Sequence, residues 1–225
     1  MNKNYKVNEL FQTIQGEGFY TGVPAIFIRL QGCDVGCAWC DTKHTWEINP
    51  DKQSDLDSLT DKSNESECWS DVTAQQIIDE IDRLGYTANL VVITGGEPCM
   101  YDLRDLTTLL HENKFITQIE TSGTYPVLVN ADSWVTVSPK INMRAKKEVL
   151  TSALERANEI KHPVGTEKDI NQLEELLKQL DSLDNKTICL QPISQKINAT
   201  ELCMRVCIER NWRLSVQVHK YLNID

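Results

Sequence analysis

The chain has 225 residues, enough for one sizeable domain with a packed core but short for two. Its formal net charge of −10 disfavours a nucleic-acid partner, because binding to a polyanion requires a basic face. No stretch reaches the roughly 20 apolar residues that span a bilayer, and the N-terminus lacks an apolar signal core. We therefore expect a cytoplasmic protein that acts on a small molecule, without direct nucleic-acid or membrane partners.

The first strong pattern along the chain is an apolar run over residues 24–30, which Cys33, Cys37 and Cys40 follow directly. A zinc site or a complete iron–sulfur site normally uses four protein ligands, whereas this motif supplies three. Three thiolates on a four-iron cluster leave one iron open to a small molecule. The spacing resembles that of the radical S-adenosylmethionine enzymes, whose open iron binds the amino and carboxylate groups of S-adenosylmethionine. Buried free thiols or a partial zinc site are the alternative.

The next segment, residues 47–71, is polar and has no clear apolar period. It is rich in Asp, Glu and Ser, a composition that is typical of surface loops. We interpret it as an insertion that forms a solvated, mobile surface loop, partly helical around residues 56–59. Nothing in the segment itself indicates a lid or a surface for a partner protein.

Strand and helix patterns alternate in the rest of the chain. Thr73 caps a predicted helix that ends before Gly85. Further strands are predicted at 89–94, 115–120, 134–138, 159–164, 186–191 and 213–218, and further helices at 103–110, 147–158, 173–180 and 199–210. Such a repeat forms a parallel sheet, and six or seven strands fall short of a closed eight-stranded barrel. We predict a single α/β domain over residues 1–225, a partial (β/α)6 barrel of TIM type with the insertion at 47–71.

Polar motifs fall at or after the ends of the predicted strands. They are Thr94-Gly-Gly-Glu-Pro98, Glu120-Thr-Ser-Gly-Thr124, Ser138-Pro-Lys140, Lys161-His162, Gln191-Pro-Ile-Ser194 and His219-Lys220. Right-handed crossovers bring the C-terminal ends of all parallel strands to one rim, where barrel enzymes bind their ligands. Gly95 and Gly96 permit a close backbone approach to a ligand. The hydroxyls of Ser122 and Ser138 suit a ribose or a carboxylate, although capping a turn explains each of them equally well.

Three further features bear on a substrate. The composition of the Gln-Gly-Glu-Gly sequence at 15–18 favours a hairpin turn, and the alternative is a flexible loop whose exposed amides bind a planar heterocycle. Arg29 lies inside an apolar strand and needs an anion, either a protein carboxylate or, as we favour, a substrate carboxylate. Thr42, after the last cysteine, caps a turn or offers a hard oxygen to Mg²⁺.

Longer strings resemble the 7-carboxy-7-deazaguanine synthases, a family of radical S-adenosylmethionine enzymes. They are Phe11-x-Thr-Ile-Gln-Gly-Glu-Gly18, Gly22-x-Pro-Ala-x-Phe-x-Arg29, Gly32-Cys-x-x-x-Cys-x-x-Cys-Asp-Thr42, Thr94–Pro98, Glu120–Gly123, Ser138–Lys140, Lys161–Pro163 and Gln191–Pro192. The resemblance runs from residue 5 to the C-terminus. It implies a carbon–nitrogen lyase that converts 6-carboxy-5,6,7,8-tetrahydropterin to 7-carboxy-7-deazaguanine, with ring contraction and loss of ammonia, on the route to 7-deazapurines such as queuosine.

The resemblance also implies cofactors, partners and residue roles. Cys33, Cys37 and Cys40 would hold a [4Fe–4S] cluster, and Thr42 would bind Mg²⁺. The implied substrate-binding residues are Ile14, Gln15, Gly16, Glu17, Arg29 and Thr94, and those for S-adenosylmethionine are Ala38, Trp39, Gly96, Glu97, Ser122, Ser138, Pro139, Lys140 and Gln191. The implied partners are a second copy of the chain, as a homodimer, and a one-electron donor such as a flavodoxin. No role is implied for the insertion or for His219.

Two other functions remain open on the sequence alone. A glycyl-radical activase shares the cysteine spacing but does not need Arg29 and the loop at 15–18 for a carboxylated heterocycle. A non-enzymatic metal-binding or scaffold protein would use the cysteines for one zinc ion. The iron content of the protein and its action on the carboxypterin distinguish these functions.

Overall fold

One curved sheet organises the protein. The computed structural model describes residues 3–60, 66–141, 143–193 and 196–222. The strands are β1 (Asn4–Ile14), β2 (Pro24–Leu30), β3 (Ser70–Thr73), β4 (Leu90–Gly95), β5 (Ile116–Thr121), β6 (Trp134–Val137), β7 (Glu159–Val164), β8 (Thr187–Pro192) and β9 (Arg213–Leu214). The helices are α1 (Ala74–Arg83), α2 (Arg104–Glu112), α3 (Thr151–Arg156), α4 (Glu167–Leu177), α5 (Ile197–Arg210) and α6 (His219–Leu222). Within the described residues, no helix is long and apolar enough to cross a membrane.

The strand order is β3-β1-β2-β4-β5-β6-β7-β8-β9. Strand β2 and strands β4 to β9 run parallel, whereas β1 pairs antiparallel with β2 and β3. The order ends at β3 and β9 rather than returning on itself, so the described sheet is an open barrel. This confirms the predicted partial (β/α) barrel.

Side chains alternate along the strands between an apolar core, which lies between the sheet and the helices, and a polar group inside the barrel. On β5, Ile119 packs in the core between sheet and helices, whereas its neighbours Gln118 and Glu120 belong to a hydrogen-bonded polar group. On β7, Ile160 joins the same core and Lys161 joins the same polar group. Because successive side chains of a strand point to opposite faces, Gln118, Glu120 and Lys161 lie inside the barrel.

The helix at 74–83 begins as its sequence predicts. Thr73 Oγ1 accepts a hydrogen bond from the backbone of Gln76, whose side chain accepts one from the backbone of Thr73. This reciprocal capping satisfies two backbone donors at the start of α1. Gly85, beyond its end, has a φ of +66°, which a glycine adopts without strain.

The last predicted strand is much shorter than expected. The sequence predicts residues 213–218, but β9 ends at Leu214. The backbone beyond it leaves the sheet, and Val218 N donates to Gly16 O at 2.9 Å. Contact with the loop after β1 therefore replaces strand pairing, a long-range effect that local propensity does not contain.

The insertion is not a uniformly solvated loop, and that prediction is wrong for part of it. Leu59 and Trp69 are only 1% and 3% exposed. Residues Leu56–Leu59 form a 3₁₀ helix, and β3 pairs with β1 through Val7 and Ser70. A few apolar side chains in a polar segment are enough to dock it on the core. Residues 61–65, in the middle of the insertion, lie outside the described part of the chain.

Candidate active site

A large cavity opens at the C-terminal ends of the parallel strands. Its volume is about 950 Å³. Most of the residues that the sequence singled out line it: Ile14, Gln15, Gly16, Glu17, Arg29, Cys33, Cys37, Trp39, Cys40, Thr42, Thr94, Gly96, Glu97, Ser122, Ser138, Lys140 and Gln191. Ala38 is exposed on the cysteine loop and Pro139 is buried, and neither lines the cavity. The fold thus brings residues from across the chain to one place.

The three cysteines share one end of this cavity. Cys40 N donates to Cys37 O at 3.3 Å, and Trp46 Nε1 donates to Cys40 Sγ at 3.4 Å. Burial raises the pKa of the Cys33 thiol to about 11 and also raises that of Cys37. A bare thiolate is therefore unfavourable at this position, and a positively charged group such as iron is needed to stabilise it.

The donor set suits a multi-iron cluster. Within the described residues, no three His, Cys, Asp or Glu side chains are arranged to hold one metal ion together. The thiolates of a [4Fe–4S] cluster each bind a different iron and need not converge on one point. Three thiols on one cavity wall therefore fit a cluster whose fourth iron is left for a small ligand.

The loop after β4 packs tightly against the cysteine loop. A Cβ on Gly96 would lie 2.1 Å from Gly32 O and 3.2 Å from Cys33 Cβ. A Cβ on Gly95, whose φ is +118°, would lie 2.3 Å from Leu30 N. Close packing within the protein therefore requires both glycines, whatever ligand their backbone also meets.

Glu97 joins the ends of β4 and β5. Its carboxylate accepts hydrogen bonds from Thr121 Oγ1 at 2.6 Å, from Ser122 N at 2.8 Å and from Cys99 N at 2.9 Å. Glu97 is 1% exposed. The side chain therefore fixes the loop after β4 relative to the loop after β5. This structural role is additional to the cofactor-binding role that the resemblance implies.

The two serines take part in local contacts at the rim. Ser122 Oγ lies 2.8 Å from Thr124 Oγ1, and Ser138 Oγ accepts a hydrogen bond from Lys140 Nζ at 2.8 Å. Both hydroxyls also line the cavity. Each hydroxyl thus makes a local structural contact, as the sequence allowed, and is also accessible to a ligand in the cavity.

The loop at 15–18 belongs to the hairpin connection between the antiparallel strands β1 and β2, as its composition favours. Gln15 is 4% exposed, and its backbone N donates to Val23 O at 2.9 Å. Gly18 N donates to Ser215 Oγ at 2.9 Å. The alternative of a flexible loop with exposed amides is therefore wrong for these two groups, because one bonds within the hairpin and the other bonds to the segment after β9. A Cβ on Gly16 would lie 2.6 Å from His219 Nδ1, which puts His219 in the cavity wall.

A buried charge network lies below this loop. Lys161 Nζ is 2.7 Å from Glu17 Oε2 and 3.0 Å from both oxygens of Glu120. Gln217 Nε2 donates to Glu17 Oε1 at 2.7 Å, and Gln191 Nε2 donates to the same oxygen at 3.4 Å. The sequence located Lys161 and Glu120 in motifs but assigned them no role, and it offered no signal for Gln217.

The two carboxylates of this network respond differently to the lysine. Burial alone would raise the pKa of Glu17, but attraction to Lys161 and hydrogen bonds from Lys161 and Gln217 lower it. Burial raises the pKa of Glu120, and repulsion from Glu159 and Glu17 adds to the effect, so that Lys161 offsets only part of it. The cavity floor therefore offers one firmly ionised carboxylate and one that takes up a proton more easily.

Arg29 already has an anionic partner. Its Nε forms an ion pair with Glu9, the residue opposite it on β1. Its guanidinium also lies 5.6 Å from the centre of the Phe11 ring. The protein carboxylate that the sequence allowed is thus present, and Arg29 and Glu9 both line the cavity.

Thr42 lies between the cysteine loop and β4. Its Oγ1 is 3.6 Å from Cys40 Sγ and 3.5 Å from Gly95 O.

Two other residues of the rim motifs are placed differently: buried His162 does not line the cavity, and Ser194 lies outside the described residues.

Comparisons with known proteins agree on one family. A model of the Radical SAM superfamily matches residues 27–180. A 7-carboxy-7-deazaguanine synthase of Escherichia coli (strain K12) is 61% identical over 98% of this chain and 99% of its own, and one of Buchnera aphidicola is 49% identical over the same shares. A crystal structure of QueE from Escherichia coli, 60% identical, superposes with a TM-score of 0.94 over 96% of this chain and 95% of that chain.

Proposed function

We propose, because the chain belongs to the Radical SAM superfamily and within it to the 7-carboxy-7-deazaguanine synthases, that it converts 6-carboxy-5,6,7,8-tetrahydropterin to 7-carboxy-7-deazaguanine. The observation that carries this proposal is the common cavity. Three cysteines, Thr42 and Arg29 come from separate motifs, yet all of them line it. The reaction needs a cluster, a cofactor and a carboxylated substrate within one such space.

Cys33, Cys37 and Cys40 are the proposed cluster ligands, and S-adenosylmethionine is the proposed ligand of the remaining iron. When bound and reduced, the cluster supplies one electron that splits the sulfonium of S-adenosylmethionine and so starts radical chemistry. Gly96, Ser122, the turn Ser138–Lys140 and the other residues implied by the resemblance hold that cofactor. The tight packing of Gly96 against Gly32 supports this proposal, because it fixes the loop beside the cysteines.

Three charged groups hold the substrate: Arg29, the Mg²⁺ ion at Thr42, and Glu17. Arg29, already oriented by Glu9, binds the pterin carboxylate, and Thr42 offers an oxygen to Mg²⁺, which accepts one protein ligand with others from substrate and water. Residues Ile14–Glu17 and Thr94 contact the heterocycle. Glu17, kept ionised by Lys161, accepts hydrogen bonds from the ring N–H groups.

The wider setting follows from the same proposal. The chain is one domain, works in the cytoplasm as a homodimer and receives electrons from a donor such as a flavodoxin. Its eight cysteines suit a reducing compartment, and its acidic surface is consistent with a small-molecule substrate rather than a nucleic acid.

The proposal is tested by incubating the anaerobically reconstituted protein with the carboxypterin, with and without S-adenosylmethionine. We expect 7-carboxy-7-deazaguanine and ammonia only when S-adenosylmethionine, Mg²⁺ and a reductant are present. If the complete mixture forms no product and consumes no substrate, the proposed function is refuted. A protein that binds a single zinc ion in place of about four irons would favour the scaffold alternative.

A further inference from the structure

A short basic segment interrupts the acidic character of the chain. Residues 140–147 contain four lysines and arginines and no acidic residue, whereas the whole chain has 33 acidic and 23 basic side chains. Arg144 and Lys146 are exposed, and the exposed Glu148 ends the run. The local charge is therefore opposite in sign to that of the molecule as a whole.

This segment packs against the loop that carries the cysteines. Arg144 Cβ is 3.4 Å from the position that a Cβ would occupy on Gly36, the residue before Cys37. Lys147 Nζ is 2.6 Å from Asp34 Oδ2, beside Cys33. We refer to Arg144, Lys146 and Lys147 as the basic patch.

Local contacts hold the basic patch in place and remove a competing charge. Tyr125 OH donates to Asp34 Oδ2 at 2.7 Å, and Lys147 lies 4.2 Å from the centre of the Tyr125 ring. Lys147 therefore offsets the charge of Asp34, the acidic residue within the cysteine loop. Arg144 and Lys146 remain exposed beside this ion pair.

The cysteine loop also reaches solvent beside the patch. Trp39, between Cys37 and Cys40, lines the cavity but is 52% exposed. A protein seated on the basic patch is thus separated from the cluster ligands only by the loop that bears them.

We propose that the basic patch is the docking surface for an acidic protein that delivers single electrons to the cluster. The inference rests on the proposed function, since the radical chemistry starts only from a reduced cluster. Two acidic proteins repel one another over most of their surfaces, so a local set of cations selects the orientation in which they meet. Electron-transfer complexes are small and transient, and a few charges suffice to guide them.

The test measures cluster reduction rather than product formation. The holoprotein is mixed anaerobically with photoreduced flavodoxin, an acidic one-electron donor, and loss of the cluster's visible absorption is followed by stopped flow. The double variant Arg144→Glu, Lys146→Glu should be reduced about tenfold more slowly at low salt, with a weaker dependence on ionic strength. A small uncharged reductant, photoreduced deazariboflavin, should reduce the variant and the parent protein equally fast.

The matched control is Lys114→Glu, Lys178→Glu, which makes the same change in net charge. Both lysines are exposed and lie at the end of the barrel where the strands begin. This control should be reduced by flavodoxin at nearly the parent rate. Equal flavodoxin rates for the two double variants would overturn the inference, as would a parallel loss of rate with deazariboflavin, which would locate the effect at the cluster itself. Because cluster reduction needs no pterin, failure of carboxypterin turnover is a separate result that concerns the proposed function.

Discussion

At the scale of single residues, the cavity is defined by charges that are held in pairs. Arg29 is oriented by Glu9 across two neighbouring strands, and Lys161 is shared by Glu17 and Glu120. A buried charge without a partner is strongly unfavourable, so Lys161 is needed to keep Glu17 ionised, whereas Glu9 fixes the orientation of Arg29. The pairs fix the position of the groups that a ligand meets.

Arg29 tests the proposed carboxylate contact. Arg29→Ala should raise the dissociation constant for the carboxypterin roughly 10- to 100-fold, because a hydrogen bond to a charged group contributes about 1.5–3 kcal/mol. Binding is measured by titration of the holoprotein, and iron content per chain should not change. Glu9→Gln, which keeps the guanidinium, is the control and should bind with much smaller loss. An unaltered dissociation constant in Arg29→Ala would contradict the contact.

Lys161 tests the buried network. Lys161→Met leaves Glu17 and Glu120 buried without their cation, and we expect the free energy of unfolding to fall by about 3–5 kcal/mol at neutral pH. Adding Glu120→Gln to that variant should restore part of the loss, because one of the uncompensated charges is gone. Denaturant titrations of the single and double variants provide the measurement. Strictly additive losses would show that the network does not act as a unit.

At the scale of secondary-structure elements, strand alternation decides which neighbours enter the site. On β7, Lys161 faces the interior, and His162 faces α4, where the carboxylate of Asp169 influences it. The sequence predicted the strand but grouped both side chains at the rim. Period-two alternation was available from the sequence and separates them.

His162, on β7, should make the free energy of unfolding depend on pH. Burial lowers its pKa from 6.5 to about 4, an effect that Lys140 reinforces and Asp169 only partly offsets. The unfolded chain therefore binds a proton that the folded chain does not, and the free energy of unfolding should decrease as the pH falls from 6.5 towards 4. Relative to His162→Phe, the decrease should reach up to about 3 kcal/mol in denaturant titrations. Parallel pH profiles for the two proteins would contradict this account.

The periodicity of apolar residues and the positions of capping and turn residues were enough to predict most elements. The apolar runs of β4 and β8, the cap at Thr73 and the cysteine spacing are local signals, and each element formed where its signal lay. Three features depend on distant contacts instead: the loop at 15–18 bonds to residues after β9, Lys161 pairs with a carboxylate 144 positions earlier, and Leu59 docks on the core. Composition alone does not encode which distant segment a loop will meet.

At the scale of the whole molecule, the connection after the first strand contacts the segment after the last strand. The segment after β1 and the segment after β9 meet through Gly18 and Ser215 and through Gly16 and Val218. This contact brings Glu17 beside Gln217, whose Nε2 donates to it at 2.7 Å at the cavity floor. The seven parallel strands of the described sheet, one fewer than in a closed TIM barrel, thereby border a cavity of about 950 Å³.

The central claim is that three thiolates leave one iron free to bind S-adenosylmethionine and split it. The most direct measurement is formation of 5′-deoxyadenosine by the anaerobically assembled protein with S-adenosylmethionine and a strong reductant. We predict cleavage by the parent protein, and none by a Cys33→Ala variant. A parent protein that carries about four irons yet leaves S-adenosylmethionine intact would contradict the account.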